Sequence, residues 1–458
     1  MTYKAVHHTF QIICFIAFLL LNTTPAKSSD KPYLNTGLPV CFIEISTSVS
    51  DIPRFEYIPA TICVVSGADT LLAPTQTTIA GRGNSTWGYP KKPYKLKFSK
   101  KTAILGMTPE KTFSLLANYC DKSLMRTAIG FTVGRAINQP WVPNSRFVEL
   151  VINNVHLGTY QLTESVKVSD TRVQLNDTGF LIEYDTHYAQ ANYYFHTQTY
   201  NYPIAFKHPD NNIDANLYTY TKQYMDAFEQ ALDETDFLTT RHYADYIDIQ
   251  SFAKWYYQKN VLQMEECNRY YQKADTTANS RLCMGPLWDF EWCLGIGLYY
   301  DSIRPNPNHR MENKLYFRQI AQDPVFMAEV AKLHVKYRDA VRDSVLNAYD
   351  QLTEQLAISQ AENFKLWPIL DKQVSIGAYP LGSWEAEVAC DRQFFLNHLD
   401  YLDKILLPYL PTNISNPANV EDGFSSPIIY TLSGQRVDSQ HLTKGIYIIN
   451  GKKVMISK

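Results

Sequence analysis

Four groups of residues have types and spacings that suit chemistry. Glu265-Glu266-Cys267-Asn268 is followed about twenty residues later by Trp288-Asp289-Phe290-Glu291. Mg²⁺ takes oxygen ligands, usually one or two carboxylates together with substrate phosphates. Asp289 with Asn268 or Glu291 suits that task, and the same residues equally suit a helix N-cap at Asp289 with Glu291 in the first turn. Gly81-Arg82-Gly83-Asn84-Ser85-Thr86-Trp87, followed by Lys91-Lys92-Pro93-Tyr94-Lys95-Leu96-Lys97, combines glycines that let backbone amides approach a phosphate with lysines that supply point charge. The alternative is a hairpin turn beside a solvated lysine face. Glu164, with Glu183 and Asp185 further on, offers a carboxylate for an active-site lysine, or edge-strand charges that discourage aggregation. Asn118 to Arg126 places Asp121 and Arg126 either at a pocket mouth or in a capped helix start with Arg126 in a salt bridge.

The elements that must position these residues follow from hydrophobic period. Val40-Cys41-Phe42-Ile43-Glu44-Ile45 reads as a strand. In Tyr94-Lys95-Leu96-Lys97-Phe98 the period of two sends Lys95 and Lys97 to one face and the apolar residues to the other. Residues 121 to 137 read as a helix capped by Asp121, with Leu124, Ala128, Ile129 and Val133 as its stripe. Phe147 to Ile152 and Val155 to Glu164 form a hairpin around Asn153-Asn154, a pair that tolerates positive φ. Gly179 to Asp185 is a further strand. From about residue 212 the period becomes 3.6, with helices expected over 213–235, 248–263, 314–360 and 384–407. Leu282 to Glu291 reads as a strand running into a charged turn. The fold class is α+β, with a β-rich first lobe and a helical second lobe.

Composition narrows the class. Of 458 residues, 45% are hydrophobic and 19% charged, which is enough apolar material for a large core. A formal net charge of -2 argues against a nucleic-acid partner. The 32 tyrosines are read as packed at the edges of the core, with recognition of glycan or protein as the alternative. Residues 1–28 have the form of a secretory signal, with a short apolar run from Phe10 to Leu21, and no later stretch is long and apolar enough to span a bilayer. The eight cysteines show no zinc spacing; Cys41 with Cys63 is a conceivable pair, and buried thiols are the preferred reading. Domain boundaries are expected at 30–407 for the main body, 408–427 for a proline-rich linker, and 428–458 for a β-rich tail. No carboxylate pair stands out for glycoside hydrolysis.

Taken together and in order, these segments resemble the CotH-type kinase family, that of the spore-coat protein kinase. The resemblance rests on Arg82-Gly83-Asn84-Ser85-Thr86-Trp87 with Lys92-Pro93-Tyr94-Lys95-Leu96-Lys97, on Asn118, Asp121 and Arg126, on Asn153 to Glu164, on Gly179 to Asp185, and on Gly285 to Glu291. It covers roughly residues 78 to 300. It implies a distant kinase-like fold, ATP with Mg²⁺ or Mn²⁺, and phosphoryl transfer to hydroxyl side chains of an envelope or extracellular protein. It puts Lys95 or Lys97 at the nucleotide phosphates with Glu164 orienting that lysine, and Asn268 and Asp289 at the metal. Arg82, Asn84, Lys92 and Arg126 fall on the nucleotide-binding side, and Glu265, Glu266 and Glu291 on the catalytic side. The family usually carries one aspartate shortly before the Asn268 region, where this chain has Glu265 and Glu266, and usually reads Trp-Asp-Phe-Asp or Trp-Asp-Tyr-Asp, where this chain ends on Glu291. One extra methylene moves a carboxylate by about 1 Å, a shift that catalytic geometry tolerates poorly. The alternative reading is therefore a catalytically inactive surface module on the same scaffold. The tail, Tyr430 to Val437 with Lys444 to Val454, resembles the C-terminal sorting modules of exported Bacteroidota proteins.

Overall fold

The computed structural model describes residues 31–264, 269–296, 315–375 and 379–410, and in the tail residues 429–431, 436–437, 442–449 and 452–456. The signal-like segment 1–28 and most of the stretch 408–427 lie outside the described residues. The chain divides into a compact unit through Leu410 and a second from Pro411.

The first half is a closed barrel. Its strands are β1 (Val40–Ile45), β2 (Ile58–Ser66), β3 (Asp69–Gly81), β4 (Tyr94–Thr102), β5 (Glu110–Leu116), β6 (Ser145–Ile152) and β7 (Val155–Glu164), in the order β1-β2-β3-β4-β5-β7-β6. Neighbours run antiparallel except β1 and β6, which close the barrel in parallel with Val40 opposite Glu149. Closure removes the exposed edges that a sheet of this length would otherwise present. Period-two alternation holds on β4: Tyr94, Leu96 and Phe98 are buried inside with Ile43, Ile62 and Phe113, while Lys95 and Lys97 face outward. Asn153 and Asn154 have φ of 47° and 63°, the left-handed pair required by a two-residue hairpin turn.

A second sheet follows, in the order β12-β11-β8-β10-β9: β8 (Phe180–Tyr184), β9 (Tyr194–His196), β10 (Pro203–His208), β11 (Arg269–Lys273) and β12 (Cys283–Met284). Glu183 sits on its central strand between Ala205 and Tyr270. The strand expected over 282–291 is only two residues long; from Gly285 on the chain is a loop.

The helices longer than four residues are α1 (Arg126–Ala136), α2 (Ala215–Asp233), α3 (Ile249–Val261), α4 (Pro324–Leu356), α5 (Ser359–Leu366) and α6 (Trp384–Leu406). Asp214, Asp248, Asp323 and Ser383 each accept a backbone N–H at the start of a helix. The long helix expected over 314–360 is divided, because Asp323 caps and Pro324 opens a new helix. Helix α1 begins at Arg126 and not at Asp121. The Asp121 carboxylate instead accepts N–H groups of Ser123 and Arg126, which folds the approach to the helix into a turn.

Many tyrosines are core and not rim. Tyr243, Tyr257, Tyr271, Tyr316 and Tyr349 are fully buried. Several hydroxyls are satisfied, as in Tyr316 to Glu229 at 2.6 Å and Tyr224 to the Tyr246 carbonyl at 2.6 Å. Cys41 and Cys63 are free and buried, so no disulfide joins them. The tail forms a four-stranded sheet, β14-β13-β15-β16, from β13 (Ile429–Thr431), β14 (Arg436–Val437), β15 (Gly445–Ile449) and β16 (Lys452–Ile456). Among the described residues no helix is long and apolar enough to cross a membrane.

Candidate functional site

The loop after β3 is built on two glycines. A side chain at Gly81 would collide with the Trp87 indole, and Gly83 has φ of 85°, a conformation that favours glycine. The loop therefore folds back against the barrel. Lys92 holds it there, donating to the Trp87 carbonyl at 2.5 Å with its ammonium 5.3 Å from the Trp87 ring. The Lys92 carbonyl in turn accepts from the Tyr160 hydroxyl at 2.8 Å. Asn84 accepts a hydrogen bond from Arg54. Arg82, between the two glycines, projects over the Trp288 ring at 5.6 Å.

Asp289 is aimed by its neighbours. Phe290 packs edge-on against Phe131 at 5.4 Å and fills the space left by the missing side chain of Gly130 on α1. Trp288 lies 6.1 Å from Phe131. With both flanking rings packed near Phe131 of α1, Asp289 takes φ of 69°. A left-handed aspartate is held only where its surroundings determine it. Asp289 is exposed to the cleft, and crowding by the surrounding walls pushes its carboxyl up from the usual range while Arg82 pulls it back.

Arg82 and Asp289 line a cleft of about 680 Å³ between the barrel and the second sheet, together with Lys95, Glu183, Asp185 and Lys207. Lys207 lies 2.7 Å from Glu183 and 3.0 Å from Asp185. Burial nevertheless pushes Glu183 up to about 7. Lys95 is drawn down to about 8 by desolvation and by the surrounding cations Arg82, Lys167, Lys207 and Lys97. Among the described residues, no side-chain hydrogen bond or ion pair engages Arg82, Lys95 or Asp289.

Arg82 and Asp289 also line a smaller chamber of about 190 Å³, with Tyr89, Lys91, Asn118 and Glu291. Glu291 accepts the Cys120 N–H at 2.8 Å, and burial pushes it up to about 7. Lys91 is 1% exposed, and burial draws it down to about 7.

The structure thus brings Arg82, Asn84, Lys95 and Asp289 to one cleft and Glu291 to the adjoining chamber. Two expected residues are elsewhere. Arg126 is buried between Asp121 and Asp391 and donates to the Cys293 carbonyl at 3.0 Å, so its guanidinium is consumed inside the helical core. Glu164 is 1% exposed and accepts from Asn144 N and Nδ2 at 2.9 and 3.3 Å, so it orients no cleft lysine. Lys97 is exposed beside the Tyr57 ring and lies outside both linings, and Lys92 acts as a fastener of the loop. Glu265, Glu266 and Asn268 lie outside the described residues. Lys207 has no signal in the sequence, and Lys91 is not distinguished there from its neighbouring lysines, whose burial only the fold decides.

The donors fit a divalent cation in one respect. The Asp289 carboxylate is free to bind one, whereas Glu183 and Asp185 are both engaged by Lys207. Among the described residues no group of three or more His, Cys, Asp or Glu could hold a metal ion, so phosphate oxygens and water would supply much of the remaining shell.

No curated protein matches the chain. Among solved structures, it is similar to one titled "Crystal structure of the golgi casein kinase", at 8% identity over 83% of this chain and 78% of that chain, with a TM-score of 0.28. The model of the family described as CotH kinase protein matches residues 79–402, a span that holds the barrel from the end of β3, the second sheet, most of the cleft lining and the helices through most of α6. On that match the chain belongs to the CotH kinase protein family.

Proposed function

We propose that this chain is an exported atypical protein kinase that binds ATP in the larger cleft and transfers its terminal phosphoryl group to hydroxyl side chains of an envelope or extracellular protein. One observation carries the reading: Arg82 and Lys95 face a cleft of about 680 Å³ with no ion-pair partner among the described residues, opposite an equally unpaired Asp289. Cations held without a contacting ion-pair partner in a partly desolvated cleft suit polyphosphate. A volume of this size lies within the usual range for small-molecule sites. Lys95 binds phosphate oxygens, Arg82 offers its planar fork of donors to them, and Lys207 offsets part of the charge of Glu183 and Asp185 on the cleft wall. Asp289 would hold Mg²⁺ or Mn²⁺, with Asn268 as a second ligand, and the ion would neutralise charge on the transferred group. The tail, as a sorting module, would route the protein out of the cell.

A second reading has its own observation. Glu291 stands where the family has aspartate, and one of its oxygens is tied to the Cys120 N–H. That suits a nucleotide-binding protein without transferase activity. Incubating purified protein with labelled ATP and Mg²⁺ or Mn²⁺, with Asp289→Ala as control, separates the two. Label incorporated into protein by the wild type alone supports the kinase. Binding without incorporation supports the silent nucleotide-binding protein, and neither binding nor incorporation removes both and leaves an inactive surface module.

A further inference from the structure

Lys91 has no part in the roles assigned above. It lies on the wall of the smaller chamber, 1% exposed, at the junction of the barrel with α5. Its ammonium donates to the Thr159 carbonyl at 2.5 Å and to Asn363 Oδ1 at 2.8 Å, with the Tyr160 ring 4.7 Å away. An ammonium has three donors, so one remains. Asn363 is itself fixed: its Oδ1 also accepts the Thr159 N–H at 3.2 Å, in space that exists because Gly158 has no side chain. One turn earlier on α5, the Ser359 hydroxyl lies 2.5 Å from that of Thr159 and 2.5 Å from Glu149, whose other oxygen is 2.7 Å from His156. This chain of hydrogen bonds clamps α5 on the outer face of the barrel and leaves Lys91 little freedom. Burial draws Lys91 down to about 7, against the opposing pull of Glu149 and Glu291, so the lysine carries less counter-charge than its burial demands. Arg82 lines the same chamber. At about 190 Å³ the chamber is below the size of a whole-ligand site.

We propose that this chamber is a second subsite that takes an oxyanion of phosphate size, held by Lys91 and Arg82, and that α5 positions Lys91 through Asn363. The inference rests on the nucleotide reading of the larger cleft in one respect: the oxyanion is either the terminal phosphate of ATP reaching past Arg82 or a free phosphate bound beside a nucleotide.

Calorimetric titration of the full chain with ATP, AMP and inorganic phosphate tests it. If the terminal phosphate occupies the chamber, Lys91→Met weakens ATP roughly tenfold or more and leaves AMP within about twofold, the AMP arm also reporting that the variant folds. Asn363→Ala weakens ATP in the same direction by less, and Asn363→Asp, which keeps the acceptor, restores it. If free phosphate is the occupant, ATP is unaffected and phosphate binding in the presence of AMP is lost in Lys91→Met. The subsite is overturned if Lys91→Met and Asn363→Ala leave ATP and phosphate at wild-type affinity, or weaken ATP and AMP equally. Wild-type protein that binds neither ATP nor AMP refutes the nucleotide cleft. In that case phosphate binding lost in Lys91→Met still upholds the subsite, and no phosphate binding overturns it as well.

Discussion

Lys207 Nζ lies 2.7 Å from Glu183 Oε2, and this pairing takes up the carboxylate that would otherwise face Lys95 across the cleft. Kinase-like sites commonly pair a phosphate-binding lysine with a carboxylate. Here a second lysine holds the acid, and Lys95 is left with a charge and no partner among the described residues. Lys95→Met is therefore expected to lower ATP affinity roughly tenfold, measured by calorimetry, while Glu164→Gln leaves it within about twofold.

Asp289→Asn should weaken ATP binding in the presence of Mg²⁺ or Mn²⁺ by roughly tenfold or more, and change it little in EDTA. Loss of a negative ligand to a divalent ion costs more in a partly desolvated cleft than in water. Equal loss with and without metal would show that Asp289 acts on the loop and not on an ion.

Gly130→Leu should disturb the site from a distance. The new side chain occupies the place of the Phe290 ring, so the loop that aims Asp289 must shift. Overpacking of this kind costs about 1–3 kcal/mol, read from urea denaturation. Metal-dependent ATP affinity should fall with it, and AMP affinity measured without metal should fall less.

Arg126→Met should destabilise the fold by about 3–5 kcal/mol without changing ATP affinity per folded molecule. It leaves Asp121 and Asp391 buried together without their shared cation. Desolvation already pushes the Asp391 carboxyl up, and one of its oxygens is buried without a hydrogen-bond partner. A selective loss of nucleotide affinity would instead put Arg126 at the cleft.

The stability difference between the wild type and Lys91→Met should depend on pH. Burial lowers Lys91 from the ordinary lysine value to about 7 in the folded state. The unfolded chain therefore binds more protons between about pH 7 and the lysine range near 10.4, and stability from this group rises as pH rises through that window. Chemical denaturation of the ligand-free proteins should show the wild type gaining on the variant, with a slope of up to about 1.4 kcal/mol per pH unit. A flat difference would mean that Lys91 is charged throughout.

The sequence by itself determined the local elements and the order of the motifs. Alternation in Tyr94 to Phe98 set which face of β4 carries lysine, the Asn153-Asn154 pair set the hairpin, and the 3.6 period set the helical second half. These are short-range properties, governed by side-chain period and by the φ that a residue tolerates. What only the tertiary structure decided is which charged residues meet. Glu164 and Glu183 read alike as strand carboxylates, yet Glu164 is used up by Asn144 while Glu183 opens on the cleft. Arg126 and Arg82 read alike as motif arginines, yet Arg126 is locked by Asp391, 265 residues away in sequence. Lys91 and Lys92 are adjacent, yet one lies on a buried chamber wall and the other fastens a loop. Partners like these are fixed by barrel closure and by how α5 and α6 dock, through contacts that no local pattern encodes. Charge pairing depends on distance and burial, and both are properties of the folded chain.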